Sequence, residues 1–173
     1  MPSVGNSPTL NAWIRENTSD ASCVVDFGAG FFDKLRNVPP MVKKIGIEVF
    51  PAYLAYAPVG VKAVCGDMRE WERFVSPQNR DTAMLIDTIE HLPKADGVEL
   101  LRQLKEHFRC VLVMTPDGFH EQTEDLTGYE NEWQRHECGY TADELRGMGF
   151  TVSVIEGFHE AKGNALFAVW RRE

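Results

Sequence analysis

Four carboxylates and two histidines stand where chemistry would need them. Asp26, Glu48, Asp67 and Asp87 each close a short apolar run. His91 follows the last of these acids and His136 lies in a polar, aromatic stretch. Between the first two acids comes Asp26-Phe27-Gly28-Ala29-Gly30, with two glycines one residue apart. Glycine takes backbone dihedrals that side chains disfavour and lets a ligand lie against the main chain. A helix after such a turn would aim free N–H groups at the same place. Glu48 lies 22 residues after Asp26, near the spacing that puts an acid on ribose hydroxyls in nucleotide-binding folds. A carboxylate only accepts, so it can take both protons of a cis-diol. Asp67 can accept from an exocyclic amine, with Met68 as an apolar face for a ring. Histidine titrates near neutrality, which suits a general base. His136 is the first candidate for that role and His91 the second. The plainer alternatives are a surface loop residue at 136, a helix-start residue at 91, an exposed strand-end acid at 48 and an ordinary turn acid at 67.

The elements that would position these groups follow from the apolar periodicity. Strands are expected at 22–27, 44–48, 61–65, 82–86 and 110–114. Helices are expected at 10–17, 32–38, 51–57, 71–74 and 95–108, the last with a stripe of Val98, Leu101, Leu104, His107 and Phe108. Thr115-Pro116-Asp117-Gly118 reads as a turn. Residues 119–140 form a long loop, and such loops are usually functional. Thr141 and Glu144 make a capping box for a helix ended by Gly149. Strands at 150–155 and 165–170 close the chain, with a turn at Gly163-Asn164. Residues 1–9 read as a flexible tail. Alternating strands and helices imply a mostly parallel α/β sheet covered on both faces. Its ligands would bind outside the strands' carboxyl ends. Asp26, Gly28, Gly30, Glu48, Asp67 and Asp87 all fall at such ends.

Composition limits the choices. A chain of 173 residues fits one domain, 1–173. A net charge of −8 offers no general attraction to phosphate backbones, so nucleic acid is not expected as partner. No apolar run is long enough for a membrane span, and no signal peptide is evident, so a cytoplasmic location is expected. Cys23, Cys65, Cys110 and Cys138 lack metal-ligand spacing and read as reduced. His136-Glu137-Cys138 offers a ligand fragment, but two ligands are not a site, and no metal is expected.

These motifs resemble the class I S-adenosylmethionine-dependent methyltransferases over residues 20–171. Asp26 to Gly30 looks like that family's glycine-rich motif, Glu48 like its ribose acid, and Gly66-Asp67-Met68 like its adenine-contacting acid. Asp87-Thr88-Ile89-Glu90-His91-Leu92 is similar to the D-x-x-E-H-L found in many small-molecule members. Thr115 to Phe119, with Gln122 and His136, resembles a subgroup of small bacterial and phage enzymes. The resemblance implies a Rossmann-like, doubly wound, seven-stranded sheet of order 3-2-1-4-5-7-6 with an antiparallel last strand. It implies S-adenosyl-L-methionine as cofactor, bound through Asp26, Gly28, Ala29, Gly30, Glu48, Val49, Asp67, Met68 and Asp87. The acceptor would be a small or saccharide-like molecule, and a homodimer is compatible with the short chain. Phe32 replaces the family's third glycine, which narrows the methionine end. A non-catalytic module on the same fold is one alternative. An NAD(P)-dependent oxidoreductase is the other, although Asp33 stands where its pattern needs glycine.

Overall fold

A computed structural model describes residues 7–123, 128–159 and 163–173. Seven strands form one sheet in the order β3-β2-β1-β4-β5-β7-β6. They are β1 (Cys23–Phe27), β2 (Lys43–Glu48), β3 (Val61–Cys65), β4 (Thr82–Ile86), β5 (Cys110–Pro116), β6 (Thr151–His159) and β7 (Gly163–Arg171). β1 runs parallel to β2 and β4, and β2 parallel to β3. β7 is antiparallel to β5 and to β6. This is the topology expected from the sequence. Burial follows position: every residue of β1, β4 and β5 is buried, whereas β3 and β6, at the sheet's ends, alternate exposed and half-buried residues. Strands covered on both faces need continuous apolar runs, and edge strands do not.

The chain divides into two compact units, Met1–Met84 and Leu85–Glu173. In the first, α1 (Pro8–Asn17) begins inside the expected tail, with proline in its first turn and Leu10 and Ile14 buried. The helices expected at 32–38, 51–57 and 71–74 are instead 3₁₀ turns at Lys34–Asn37, Pro51–Tyr56 and Met68–Arg73. Pro39-Pro40 and Pro58 leave the first two too few residues for a regular helix to propagate, and the third is kinked at Glu70. Cys65 is exposed on its edge strand and not packed as a small apolar residue.

In the second unit, α2 (Lys94–His107) buries Gly97, Leu100, Leu101 and Leu104. Val98, assigned to the apolar stripe, is exposed, and so is His107. Gly97 faces inward because a Cβ there would collide with the Tyr140 hydroxyl. α3 (Ala142–Gly147) carries the capping box of Thr141 and Glu144, and Gly149 follows it at φ +89°. β5 continues through Thr115-Pro116, so the turn starts at Asp117-Gly118. β6 and β7 are longer than expected, and Gly163-Asn164 belongs to β7. Among the described residues no helix is long and apolar enough to cross a membrane.

Candidate functional site

In the first unit, β1 runs straight into the glycine turn. Gly28 has φ +73°, Gly30 φ +53° and Phe32 φ +59°. The third glycine-like conformation is therefore kept, but by a phenylalanine. A bulky residue there is strained, and the surrounding packing must hold it. Phe32 is fully buried, and a Cβ on Gly46 would lie 2.5 Å from its ring. Gly46 is small so that Phe32 can occupy this place. Among the described residues nothing lies within 4 Å of the position a Cβ would take on Gly30, so they leave that face of the turn open. No N-terminus of a regular helix follows the turn.

The Glu48 carboxylate closes this turn. Its Oε2 accepts from Gly30 N at 2.8 Å and its Oε1 from Phe50 N at 2.8 Å. Gly28 N and Ala29 N donate to Ile47 O at 2.9 and 3.0 Å. Burial raises the Glu48 carboxyl above its usual range, against the pull of backbone hydrogen bonds from Phe50, Gly30 and Val49. With three of its roughly four acceptor sites taken by backbone N–H groups, the carboxylate keeps one for a ligand hydroxyl. Asp26 is buried, and among the described residues its Oδ2 has no hydrogen-bond partner. Burial pushes its carboxyl up to about 8, eased by Lys34 and reinforced by Asp33 and Glu48. Asp67 lies just beyond the end of β3 and caps the following 3₁₀ turn, accepting from Arg69 N at 2.9 Å and pairing with the guanidinium. Arg69 holds its carboxyl below the usual range. Met68 is turned into the core, and Val49 is half-buried. Phe31 adds an aromatic group that the sequence reading missed, with its ring centroid 4.4 Å from that of Tyr53 and 4.9 Å from that of Tyr56.

The second unit gathers a different set. Asp87 leaves β4 at φ +47°, with its amide on Met114 O at 2.9 Å and its carboxylate 3.8 Å from His159 Nε2. The 3₁₀ turn Ile89–His91 follows. Glu90 is buried and accepts from Thr115 Oγ1 at 3.0 Å, while its backbone carbonyl accepts from Glu137 N and Cys138 N. His91 Nδ1 lies 2.9 Å from Arg135 O, and His136 Nδ1 lies 2.7 Å from His120 O. A carbonyl only accepts, so each Nδ1 carries the proton and each neutral ring keeps its lone pair on Nε2. The rings are 4.8 Å apart and nearly perpendicular. One donor atom from each of Glu90, His91 and His136 falls within 4.8 Å of the other two. The sequence reading placed His91 and His136 as separate candidates; the fold brings them together with Glu90. In the polar, aromatic stretch, Tyr140 is in the core, and Tyr129 and Trp133 are exposed.

No family model matches the chain, and no curated protein matches its sequence. Solved structures do resemble it in shape. The small RNA methyltransferase HEN1 superposes over 95% of this chain with a TM-score of 0.67 at 18% identity; the match spans a quarter (25%) of HEN1's own length. The N-terminal domain of EvdMO1 with SAH (S-adenosylhomocysteine) bound matches 98% of the chain and 82% of its own length, with a TM-score of 0.68 at 13% identity. CalS10, an amino pentose methyltransferase from Micromonospora echinaspora, matches 92% and 88%, with a TM-score of 0.56 at 18% identity. With its strand order and antiparallel β7, the chain has the Rossmann-like fold of the S-adenosylmethionine-dependent methyltransferases.

Proposed function

We propose that this chain is a single-domain S-adenosylmethionine-dependent methyltransferase acting on a small-molecule or saccharide-like acceptor in the cytoplasm. The observation that carries the reading is the glycine turn fastened to Glu48 at the carboxyl end of β2. An adenosyl cofactor fits what the turn offers. Among the described residues the face above Gly30 is open and a buried Asp26 oxygen has no hydrogen-bond partner, and the Glu48 carboxylate keeps an acceptor site for a ribose hydroxyl. Asp67 suits an exocyclic amine and Asp87 the methionine part. The bound cofactor would supply an electrophilic methyl group. The protein's own task is to orient the acceptor atom and to favour loss of its proton. His136, then His91, are the side chains assigned to the acceptor.

The proteins similar in fold act on different acceptors: HEN1 on small RNA, CalS10 on an amino pentose. A net charge of −8 favours the small acceptor for this chain. The antiparallel β7 and the carboxylate of Asp33 speak against an NAD(P)-dependent oxidoreductase. The two imidazoles beside Glu90 speak against a purely non-catalytic module.

Calorimetric titration with S-adenosylhomocysteine, with NAD in parallel, tests the reading. Micromolar binding of the first alone is expected. Binding of NAD alone would overturn it. A homodimer is compatible with it, and light scattering on the same samples reads the state.

A further inference from the structure

We infer that Glu90, His91 and His136 form a binding site for a first-row divalent cation such as Zn2+, Mn2+, Fe2+ or Co2+. The argument rests on three features of the cluster. The first is the donor set. Two imidazole nitrogens and one carboxylate oxygen lie within 4.8 Å of one another, so modest inward side-chain shifts would bring them onto a coordination sphere whose bonds are about 2.0–2.2 Å. Two histidines and a carboxylate suit borderline metals, whereas Ca2+ and Mg2+ prefer oxygen ligands alone.

The second is orientation. Metal-bound histidines usually donate their other N–H to a carbonyl or carboxylate, which fixes the tautomer and aims the lone pair. Both rings here already do so, His91 to Arg135 O and His136 to His120 O. Glu90 likewise receives the Thr115 hydroxyl. The main chain around the ligands is tied down too: His136 N donates to Gln122 O, Gln122 Nε2 to Gln134 O, and Glu137 N to Glu90 O. The ligand atoms are therefore positioned before any ion arrives.

The third is access. Glu90 and His136 are buried, but His91 is half-exposed, so one side of the cluster meets solvent. Three protein ligands among the described residues leave positions for an exogenous oxygen, the pattern of a catalytic rather than a structural site. An acceptor hydroxyl held there would lose its proton to water more readily, because the cation stabilises the alkoxide. The histidines would then act as ligands instead of taking the proton themselves. This use of the cation rests on the methyltransferase reading; the cation site itself does not.

The test is Co2+ titration of the tag-free, chelator-treated protein, followed by visible absorption and by calorimetry, with Zn2+ and Mn2+ titrated in parallel. One Co2+ per chain with ligand-field bands is expected. His136→Ala, His91→Asn and Glu90→Gln should each weaken binding at least tenfold and leave S-adenosylhomocysteine affinity unchanged. Stoichiometry well below one, or wild-type affinity in the histidine variants, would overturn the proposal. If His136→Ala does not fold, the partly exposed His91→Asn and the wild-type stoichiometry decide. Cation binding without S-adenosylhomocysteine binding would overturn the methyltransferase reading alone, and the reverse would overturn the cation site alone.

Discussion

The glycine turn of the first unit and the histidine cluster of the second solve opposite problems. The turn exposes backbone N–H groups, and a carboxylate collects them: Glu48 takes Gly30 N and Phe50 N. The cluster exposes side-chain nitrogens, and backbone carbonyls collect the protons behind them, Arg135 O for His91 and His120 O for His136. In the turn, side chains orient the main chain; in the cluster, the main chain orients side chains. The first arrangement joins the ends of two adjacent parallel strands. The second joins residues far apart in the chain, Glu90 and His91 with His136. If this contrast is correct, changes in the turn act first on folding, and changes in the cluster act first on what it binds.

The largest expected effect is at Asp26. The unfolded chain releases this proton near the ordinary 3.8, and the folded chain near about 8. Between those values the folded state holds the extra proton, so folding stability falls as pH rises through that window. The slope is at most about 1.4 kcal/mol per pH unit. Asp26→Asn should flatten it, so that the variant gains on the wild type from pH 5 to pH 8 in urea unfolding. Parallel profiles would show that Asp26 is ionised in the folded protein, with Lys34 outweighing burial, Asp33 and Glu48.

Glu48→Ala comes next. It deprives two backbone donors of their acceptor in a largely buried place, at a cost of about 2–3 kcal/mol. Urea midpoints measure this without any ligand. A loss below about 0.5 kcal/mol would mean that water readily replaces the carboxylate, and the turn would not depend on it as described.

This ordering also explains what could be read from the sequence. β3 and β4 were legible to the residue, because each is a short apolar run bounded by turn residues. The strand order came with the family resemblance and matches the sheet. The acids at 26, 48 and 67 were legible because turn and strand ends are local. Their partners were not: nothing in the order of residues says that Glu48 serves Gly30 N, or that Asp67 is held by Arg69. Two of the helices misread in the first unit are 3₁₀ turns because proline limits their length. In α2 the stripe was misread at Val98 and His107, since the buried face passes through Gly97, whose lack of a side chain makes room for Tyr140. The Glu90–His91–His136 grouping was hidden for the same reason. It depends on where residues 118–140 return, and no local period encodes that.

Thr115→Val probes the second unit with a smaller change. It keeps the shape of a buried β5 residue and removes one hydroxyl donor to Glu90. A stability loss of about 1–2 kcal/mol is expected. Co2+ affinity should fall roughly tenfold, as for the outer partners of metal ligands, while S-adenosylhomocysteine affinity stays the same. If the cofactor affinity falls instead, the division of labour between turn and cluster is wrong.

The smallest stability effect is expected at Asp67, and it sharpens the contrast within the first unit. Asp67 and Glu48 both stand at the carboxyl ends of parallel strands and were both read as ligand acids. Glu48 is buried and holds backbone, whereas Asp67 sits in a partly exposed pair with Arg69 that solvent screens. Its lowered carboxyl stabilises the fold above about pH 4, and that contribution is lost as pH falls through the folded value. Asp67→Ala should therefore cost less than about 1 kcal/mol at neutral pH. Its effect on S-adenosylhomocysteine binding should be larger, about 1–3 kcal/mol, if the carboxylate turns to an adenine amine in the complex. Calorimetry beside urea unfolding separates the two quantities. Affinity lost at nearly constant stability marks Asp67 as a ligand contact. Both unchanged would make it only the cap of its 3₁₀ turn, and the adenine would then have to be held by other groups, the Phe31–Tyr53–Tyr56 cluster first among them.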